Sequence, residues 1–125
     1  MHLTLRDDLL FVTVSVVAQG RRVDIPDVVV DTGSGSTMLS ADRLSTIGVN
    51  PEPDDILYTV RGVGGTEVVF VRSVERLQVG TKAVCDFDVE VGGVDYGFDL
   101  NGIPGMDFLL QTGAVINLRH LTLSF

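Results

Sequence analysis

Residues 28–39 decide the fold, and they read Val-Val-Val-Asp-Thr-Gly-Ser-Gly-Ser-Thr-Met-Leu. Three consecutive β-branched residues, Val28 to Val30, predict a buried strand. Asp31 follows in a turn that Gly33 and Gly35 allow, because glycine adopts a positive φ freely. A hydroxyl residue flanks the first of these glycines on each side. A carboxylate at the end of a buried strand, surrounded by hydrogen-bond donors, suits acid–base chemistry.

A second informative stretch lies near the far end of the chain. Residues 103–110 read Ile-Pro-Gly-Met-Asp-Phe-Leu-Leu, and Gly113 and Val115-Ile116-Asn117 follow them. The spacing of the apolar residues predicts a helix over residues 106–112, which Gly113 ends.

Together the two stretches resemble the active-site signatures of the aspartic proteases, in particular the single-motif, retropepsin-like group in its bacterial or cellular branch. The resemblance covers residues 9–118. It implies an all-β acid-protease fold, a closed barrel or sandwich of short antiparallel strands with one or two short helices. It also implies hydrolysis of peptide bonds.

Size and composition are those of a single domain over residues 1–125. A net charge of −8 argues against partners such as nucleic acid or an anionic membrane. Cys85 is the only cysteine, so it predicts no intrachain disulfide and a reducing compartment. Next to Val84 it is expected to be a small buried residue. The N-terminus lacks the pattern of a signal peptide, so we expect a cytoplasmic protein.

Alternation and turn residues predict the order of the remaining elements. Leu9–Ala18 and Val23–Val30 form a hairpin, in which Pro26 marks an edge or a bulge. Ser40 caps a short helix over residues 41–47. Further strands are expected over residues 56–61, 66–72, 74–79, 83–91, 98–103, 114–118 and 121–125.

Gly62-Val63-Gly64-Gly65 forms the tip of a predicted hairpin. A phosphate-binding loop is excluded, since no helix follows and the chain is acidic. The resemblance implies that residues 60–67 are a flap that closes over bound peptide. An ordinary β-turn with spare glycines is the alternative. By the same resemblance Val63, Ile103 and Pro104 are apolar pocket residues, which favours hydrophobic side chains beside the scissile bond.

The chemistry of this family needs two carboxylates that share one proton around a water molecule. The chain has one Asp-Thr-Gly motif, because Asp95-Tyr96-Gly97 has a bulky ring in place of the hydroxyl and Gln111-Thr112-Gly113 has no carboxylate. We therefore expect a symmetric homodimer with one Asp31 from each subunit.

The resemblance assigns roles to the neighbours of this aspartate. Thr32 would hydrogen-bond across the two-fold axis, and Gly33 would let the substrate backbone approach. Ser34 is expected to donate a hydrogen bond to the Asp31 carboxylate and to favour its ionised form. The motif therefore predicts catalytic residues Asp31, Thr32 and Gly33, with Ser34 in a supporting role.

Several residues depart from the retroviral pattern. Gly35 and Met106 stand where retroviral members commonly carry an acid and an arginine that pair. Pro104 replaces an aliphatic residue and removes a backbone donor. The chain continues for eight residues past Asn117, near where the retroviral chain ends. Because terminal strands build the retroviral dimer interface, the resemblance leaves the form of this dimer open.

No metal or other cofactor is expected. Asp86, Asp88 and Glu90 alternate with apolar residues, which predicts a solvated strand face and lacks the pattern of a calcium loop. The sequence thus predicts a homodimeric aspartic endopeptidase acting on a peptide or protein substrate. The alternative is a catalytically silent peptide-binding or dimerisation module of the same fold, and an unrelated β-barrel binding protein is a distant third.

Overall fold

The computed structural model describes residues 1–62, 65–93 and 100–125, which are mostly β-strand with two short helices. The predicted positions Val63 and Gly64, and the Asp95-Tyr96-Gly97 stretch, lie outside the described residues. The elements are β1 (Thr4–Arg6), β2 (Leu9–Ala18), β3 (Arg21–Val29), β4 (Met38–Ser40), α1 (Ala41–Ser45), β5 (Tyr58–Gly62), β6 (Gly65–Val79), β7 (Lys82–Gly92), β8 (Gly102–Ile103), α2 (Met106–Thr112), β9 (Val115–Asn117) and β10 (Thr122–Ser124).

The β2–β3 hairpin forms where the alternation predicts it. Its register slips between the pairs Val12–Val28 and Val14–Ile25, so β3 carries an extra residue there. Asp27, which follows Pro26, has a φ of 57°. The bulge predicted at the proline is therefore confirmed, and it bends β3 just before the strand leads into residues 30–37.

Strand pairing closes into a ring. The order is β1-β2-β3-β8-β4-β7-β6-β5, and β2 also pairs with β6. The pairings β3–β8 and β4–β7 are parallel, so the prediction that all strands are antiparallel is wrong for these two pairs. The ring surrounds one large apolar cluster, whose most buried side chains include Phe108, Leu39 and Leu77. The all-β fold class is confirmed, in the form of a ring less regular than a barrel.

The second hairpin, β6–β7, corrects two expectations. Residues 66–72 and 74–79 form one continuous strand, because every residue around Ser73 keeps its partner on β7. Cys85 is exposed, although it was expected to be buried. Asp86 has a φ of 52°, which interrupts the alternation of the strand. The buried residues on either side of it are Val84 and Phe87, three positions apart instead of two. Two successive residues therefore face outward.

Both helices begin where the sequence predicts, and α2 also ends there. Ser40 caps α1 by accepting a hydrogen bond from the Arg43 N–H, and α1 ends two residues earlier than predicted. The predicted range of α2 is confirmed, and Gly113 ends it in the left-handed conformation with a φ of 65°. In the described part of the chain, neither helix has the length and apolar character needed to cross a membrane.

Candidate active site

Asp31 lies just beyond the end of β3, where three chain segments meet. The Val30 N–H donates to the Leu10 carbonyl at 3.0 Å, and the Asp31 N–H donates to the Pro104 carbonyl at 3.3 Å. The Asp31 carboxylate is partly exposed, and its Oδ1 accepts a hydrogen bond from the Gly33 N–H at 2.8 Å. The backbone on both sides of the carboxylate is therefore fixed while its second oxygen carries no bond to another described residue.

Thr32 and Gly33 form the exposed tip of the loop, and the positive φ expected at Gly33 and Gly35 is absent from both. A Cβ atom on Gly33 would lie 3.1 Å from the Asp31 Oδ1, which is closer than ordinary van der Waals contact. Glycine therefore leaves open space above the carboxylate, as a site that admits an extended ligand requires.

Ser34 does not make the hydrogen bond expected of it. Its Oγ donates to the carbonyl of Ser36 at 2.8 Å, and a hydroxyl has a single proton to give. The expected bond to the Asp31 carboxylate is therefore absent, because the tight turn brings the Ser36 carbonyl closer to this hydroxyl. Ser34 supports the loop internally.

The first turn of α2 packs directly against this loop. The Met106 N–H donates to the Ser34 carbonyl at 2.8 Å, and the Asp107 N–H donates to the Gly35 carbonyl at 3.3 Å. A Cβ atom on Gly105 would clash with the Ser36 carbonyl and lie 2.9 Å from the Ser34 carbonyl oxygen. These backbone contacts join the same two chain segments that a side-chain ion pair joins in the retroviral pattern.

Buried Thr37 and partly buried Asp107 form a clamp that the sequence does not reveal. Asp107 accepts hydrogen bonds from the Thr37 hydroxyl at 2.7 Å and from the Thr37 N–H at 3.1 Å. The Thr37 hydroxyl also accepts from the Gly105 N–H at 3.1 Å. Asp107 was part of the second signature, but nothing in the sequence indicated its partner 70 residues away.

Glu90 connects the loop to β7. Its Oε1 accepts a hydrogen bond from the Ser36 hydroxyl at 2.7 Å, and its N–H donates to the Thr37 carbonyl at 2.9 Å. Asp86 and Asp88 are exposed as predicted, but Glu90 is partly buried. Its Oε2 is buried and has no hydrogen-bond partner among the described residues. The expectation of a fully solvated face therefore fails at Glu90, because residues 36 and 37 cover it.

The geometry agrees with the comparison to known proteins. A family model described as "Aspartyl protease" matches residues 12–108, a range that includes the whole loop and the start of α2. The chain belongs to this aspartyl protease family. A search of curated proteins gives no match.

The expected substrate-contacting residues of this aspartyl protease lie in two places. Ile103 and Pro104 are buried beneath the loop; Ile103 packs with Phe11, Val29 and Leu100. Their contact with substrate stays a prediction. Gly62 and Gly65 are the last pair that joins β5 to β6, so the hairpin extends to the predicted tip.

A positively charged side chain on β6 holds the segment of residues 50–55 that precedes this hairpin. Arg72 on β6 donates to the Asp55 carboxylate at 2.6 Å and to the Asn50 carbonyl at 3.3 Å. The Asp55 carboxylate accepts a hydrogen bond from the Glu52 N–H, and this bond lowers the pKa of Asp55 below its ordinary value. Burial raises this pKa, and the hydrogen bond from Arg72 lowers it further. At the distant β2–β3 hairpin, hydrogen bonds from Ser15 and then Arg22 lower the pKa of Asp24.

Metal chemistry gains no support from the described part of the chain, where no three His, Cys, Asp or Glu side chains form a group that could hold an ion. What the site offers is a carboxylate on a rigid loop, open to one side. A single such group can accept or hold one proton.

Proposed function

We propose that this aspartyl protease is an endopeptidase that works as a homodimer, with the Asp31 carboxylates of two copies facing each other. The observation that supports this best is the fixed loop, which presents one partly exposed carboxylate in a family whose chemistry needs two. Pairing across a two-fold axis brings identical loops together and supplies the second carboxylate.

In the proposed reaction, the two carboxylates hold one proton between them, because two like charges about 3 Å apart do not ionise together easily. The ionised Asp31 takes a proton from a water molecule, whose oxygen forms a bond to the substrate carbonyl carbon. The protonated Asp31 hydrogen-bonds the carbonyl oxygen. A proton then moves to the amide nitrogen as the C–N bond breaks, which leaves a carboxylic acid and an amine.

The exposed tip of the loop has the remaining roles. Thr32 bonds to the loop of the other copy and keeps the carboxylates coplanar, and Gly33 admits the substrate backbone. Residues 60–67 close over the peptide. The apolar Ile103 and Pro104, which lie next to the loop, are expected to favour a substrate with hydrophobic side chains.

The test compares peptide-library cleavage by the wild type, Asp31→Asn and Asp42→Asn between about pH 3 and pH 7. Asp42 is exposed on α1 and serves as the matched control. We expect Asp31→Asn to abolish cleavage while the dimer and fold persist, and Asp42→Asn to cleave like the wild type. A pepstatin-like inhibitor checks that the activity is of the aspartic type. Undiminished cleavage by Asp31→Asn refutes the proposal.

The second candidate is a peptide-binding module of the same fold without catalysis. It is favoured by Pro104, which brings no N–H to the site, and by the Ser34 hydroxyl, which bonds away from Asp31. A stable dimer that binds the library peptides but cuts none of them would support this candidate over the peptidase.

A further inference from the structure

Glu90 is a buried polar group whose hydrogen bonding is incomplete. Its Oε1 accepts a hydrogen bond from the Ser36 hydroxyl at 2.7 Å, whereas its Oε2 is buried and has no partner among the described residues. Buried polar atoms in folded proteins nearly always have a partner, because an unpaired one loses its hydrogen bonds to water without a replacement. An unpaired oxygen beside the catalytic loop therefore favours a contact with another molecule at this place.

The charge of Glu90 has no counterpart in the described part of the chain, where every salt bridge lies elsewhere. In the sheet, Glu90 pairs with Val71 of β6 and with Met38 of β4, and both are uncharged. The diagonal positions on β6 are Val69 and Ser73. A carboxylate that is partly removed from water is stabilised by an opposite charge, and none of these strand positions supplies one.

The serine side chains in front of Glu90 present hydrogen-bond acceptors. A hydroxyl has one proton to donate, and both serines of this stretch donate it within the protein. Ser34 donates to the Ser36 carbonyl at 2.8 Å, and Ser36 donates to Glu90. The lone pairs of both hydroxyl oxygens remain, and they only accept. The carboxylate polarises the Ser36 hydroxyl and makes its oxygen a stronger acceptor.

The loop is open around these serines. Gly35 between them is exposed, and no atom lies within 4 Å of a Cβ placed on it. Ser34 and Ser36 are partly exposed. All three residues follow Asp31 on the loop across which the substrate of the proposed peptidase lies. A substrate side chain can therefore reach the acceptors in front of Glu90.

Acceptors backed by a negative charge select a donor that is positively charged. The ammonium group of Lys has three donors and the guanidinium group of Arg has five, and neither has an acceptor. An acidic substrate side chain would meet lone pairs and a like charge. The net charge of −8 acts in the same direction, since it attracts basic peptides over a longer range.

We propose that Ser36 and Glu90 form a subsite that selects a Lys or Arg side chain of the peptide substrate. This inference rests on the proposed function, because it places the peptide across the loop that carries Asp31. The cationic group donates to the Ser36 hydroxyl oxygen, and the Glu90 carboxylate balances its charge. The hydrophobic preference expected from Ile103 and Pro104 concerns other side chains of the same peptide.

The test compares pairs of peptides in which one position carries either Lys or norleucine, which has a similar length and lacks the ammonium group. The pair is moved through every position of a library peptide, and kcat and KM are measured for the wild type, Glu90→Gln, Ser36→Ala and Asp88→Asn. Glu90→Gln removes the charge and keeps an oxygen that accepts from Ser36. Asp88→Asn removes a charge at an exposed position of the same strand and is the matched control.

At one position of the peptide, we expect the wild type and Asp88→Asn to prefer Lys over norleucine by about tenfold or more in kcat/KM. In Glu90→Gln the preference falls to about twofold or less, and Ser36→Ala weakens it. Because the subsite binds a group away from the scissile bond, the loss appears in KM more than in kcat. A Glu90→Gln variant that loses kcat and keeps the Lys preference would show that Glu90 only positions the loop, which overturns the subsite.

Binding to the Asp31→Asn chain measures the subsite without catalysis. In titration calorimetry with the same peptides, we expect the same preference for Lys in the dissociation constant. Equal binding of Lys and norleucine peptides at every position overturns the subsite, even where the wild type cleaves the library. If the wild type cuts no peptide while Asp31→Asn binds the Lys peptide more tightly, the peptidase proposal fails and the subsite stands.

Discussion

At the scale of single residues, hydrogen bonds to two distant acids hold the loop that carries Asp31. Asp107 accepts hydrogen bonds from the hydroxyl and the N–H of Thr37, and Glu90 accepts one from the hydroxyl of Ser36. Both acids are far along the chain from the loop that they hold. They act as positioning residues, since each bonds to the loop and neither is in contact with Asp31 through a hydrogen bond in the structure.

The first prediction concerns Thr37→Val, which keeps the shape of the side chain and removes its hydroxyl. Thr37 is 1% exposed, so the change leaves the Gly105 N–H and one Asp107 oxygen without this partner. We expect the free energy of unfolding to fall by about 1–3 kcal/mol, with a loss of cleavage. Urea denaturation measures the first effect. Thr13→Val, at an exposed position on β2, is the control and should change neither. Unchanged stability of Thr37→Val would show that the clamp is unimportant.

The second prediction uses two glycines of the same region. Gly105→Ala places a methyl group against the Ser36 carbonyl, whereas no atom lies within 4 Å of a Cβ on Gly35. We expect Gly105→Ala to lower the melting temperature and to cost about 1–3 kcal/mol or more, because backbone on both sides cannot move apart easily. Gly35→Ala should melt close to the wild type. Equal melting temperatures would contradict the close packing of α2 on the loop.

Predictions for single residues are correct where the conformation depends only on neighbours in the same chain segment. The bulge at Pro26 and the cap at Ser40 follow from local backbone chemistry. The Ser34 bond and the exposure of Cys85 were predicted wrongly, since they depend on which carbonyl a turn brings near and on the conformation of Asp86. Neither feature has a signature in the composition of the neighbouring residues.

At the scale of elements, periodicity predicts long or well-capped segments. β2 and α2 have the predicted bounds, because alternation and helical spacing are strong over their full lengths. β1 was missed, since three exposed residues carry no pattern, and β4 and β8 are short segments that pairing in the ring creates. The parallel pairings depend on where the chain returns, which no local pattern indicates.

The third prediction concerns the segment before the β5–β6 hairpin, which Asp55 holds by its bonds to Glu52 and Arg72. Because the folded pKa of Asp55 lies below its ordinary value of 3.8, its contribution to stability is present above that value. The contribution is lost as the pH falls through the lower folded pKa. We therefore expect Asp55→Asn to be less stable than the wild type at neutral pH, with a difference that shrinks near about pH 2. Urea denaturation at the two pH values measures it, and an equal difference at both would contradict the assignment.

At the scale of the whole molecule, the sequence predicts the family and the all-β class, because the two signatures occur in the right order across most of the chain. Closure of the ring through β2 and β6 brings together residues that no single stretch connects. One chain supplies a single Asp31, whereas the proposed chemistry needs two carboxylates. The account therefore depends on whether two copies of Asp31 act together.

The measurement that tests this most directly mixes wild-type chains with Asp31→Asn chains at a fixed total concentration and lets the subunits exchange. If cleavage needs one intact Asp31 from each copy, an equal mixture retains about one quarter of the wild-type activity, since only that share of the dimers is fully wild type. Activity of about one half, falling in proportion to the wild-type fraction, would mean that each chain acts alone and would contradict the shared site.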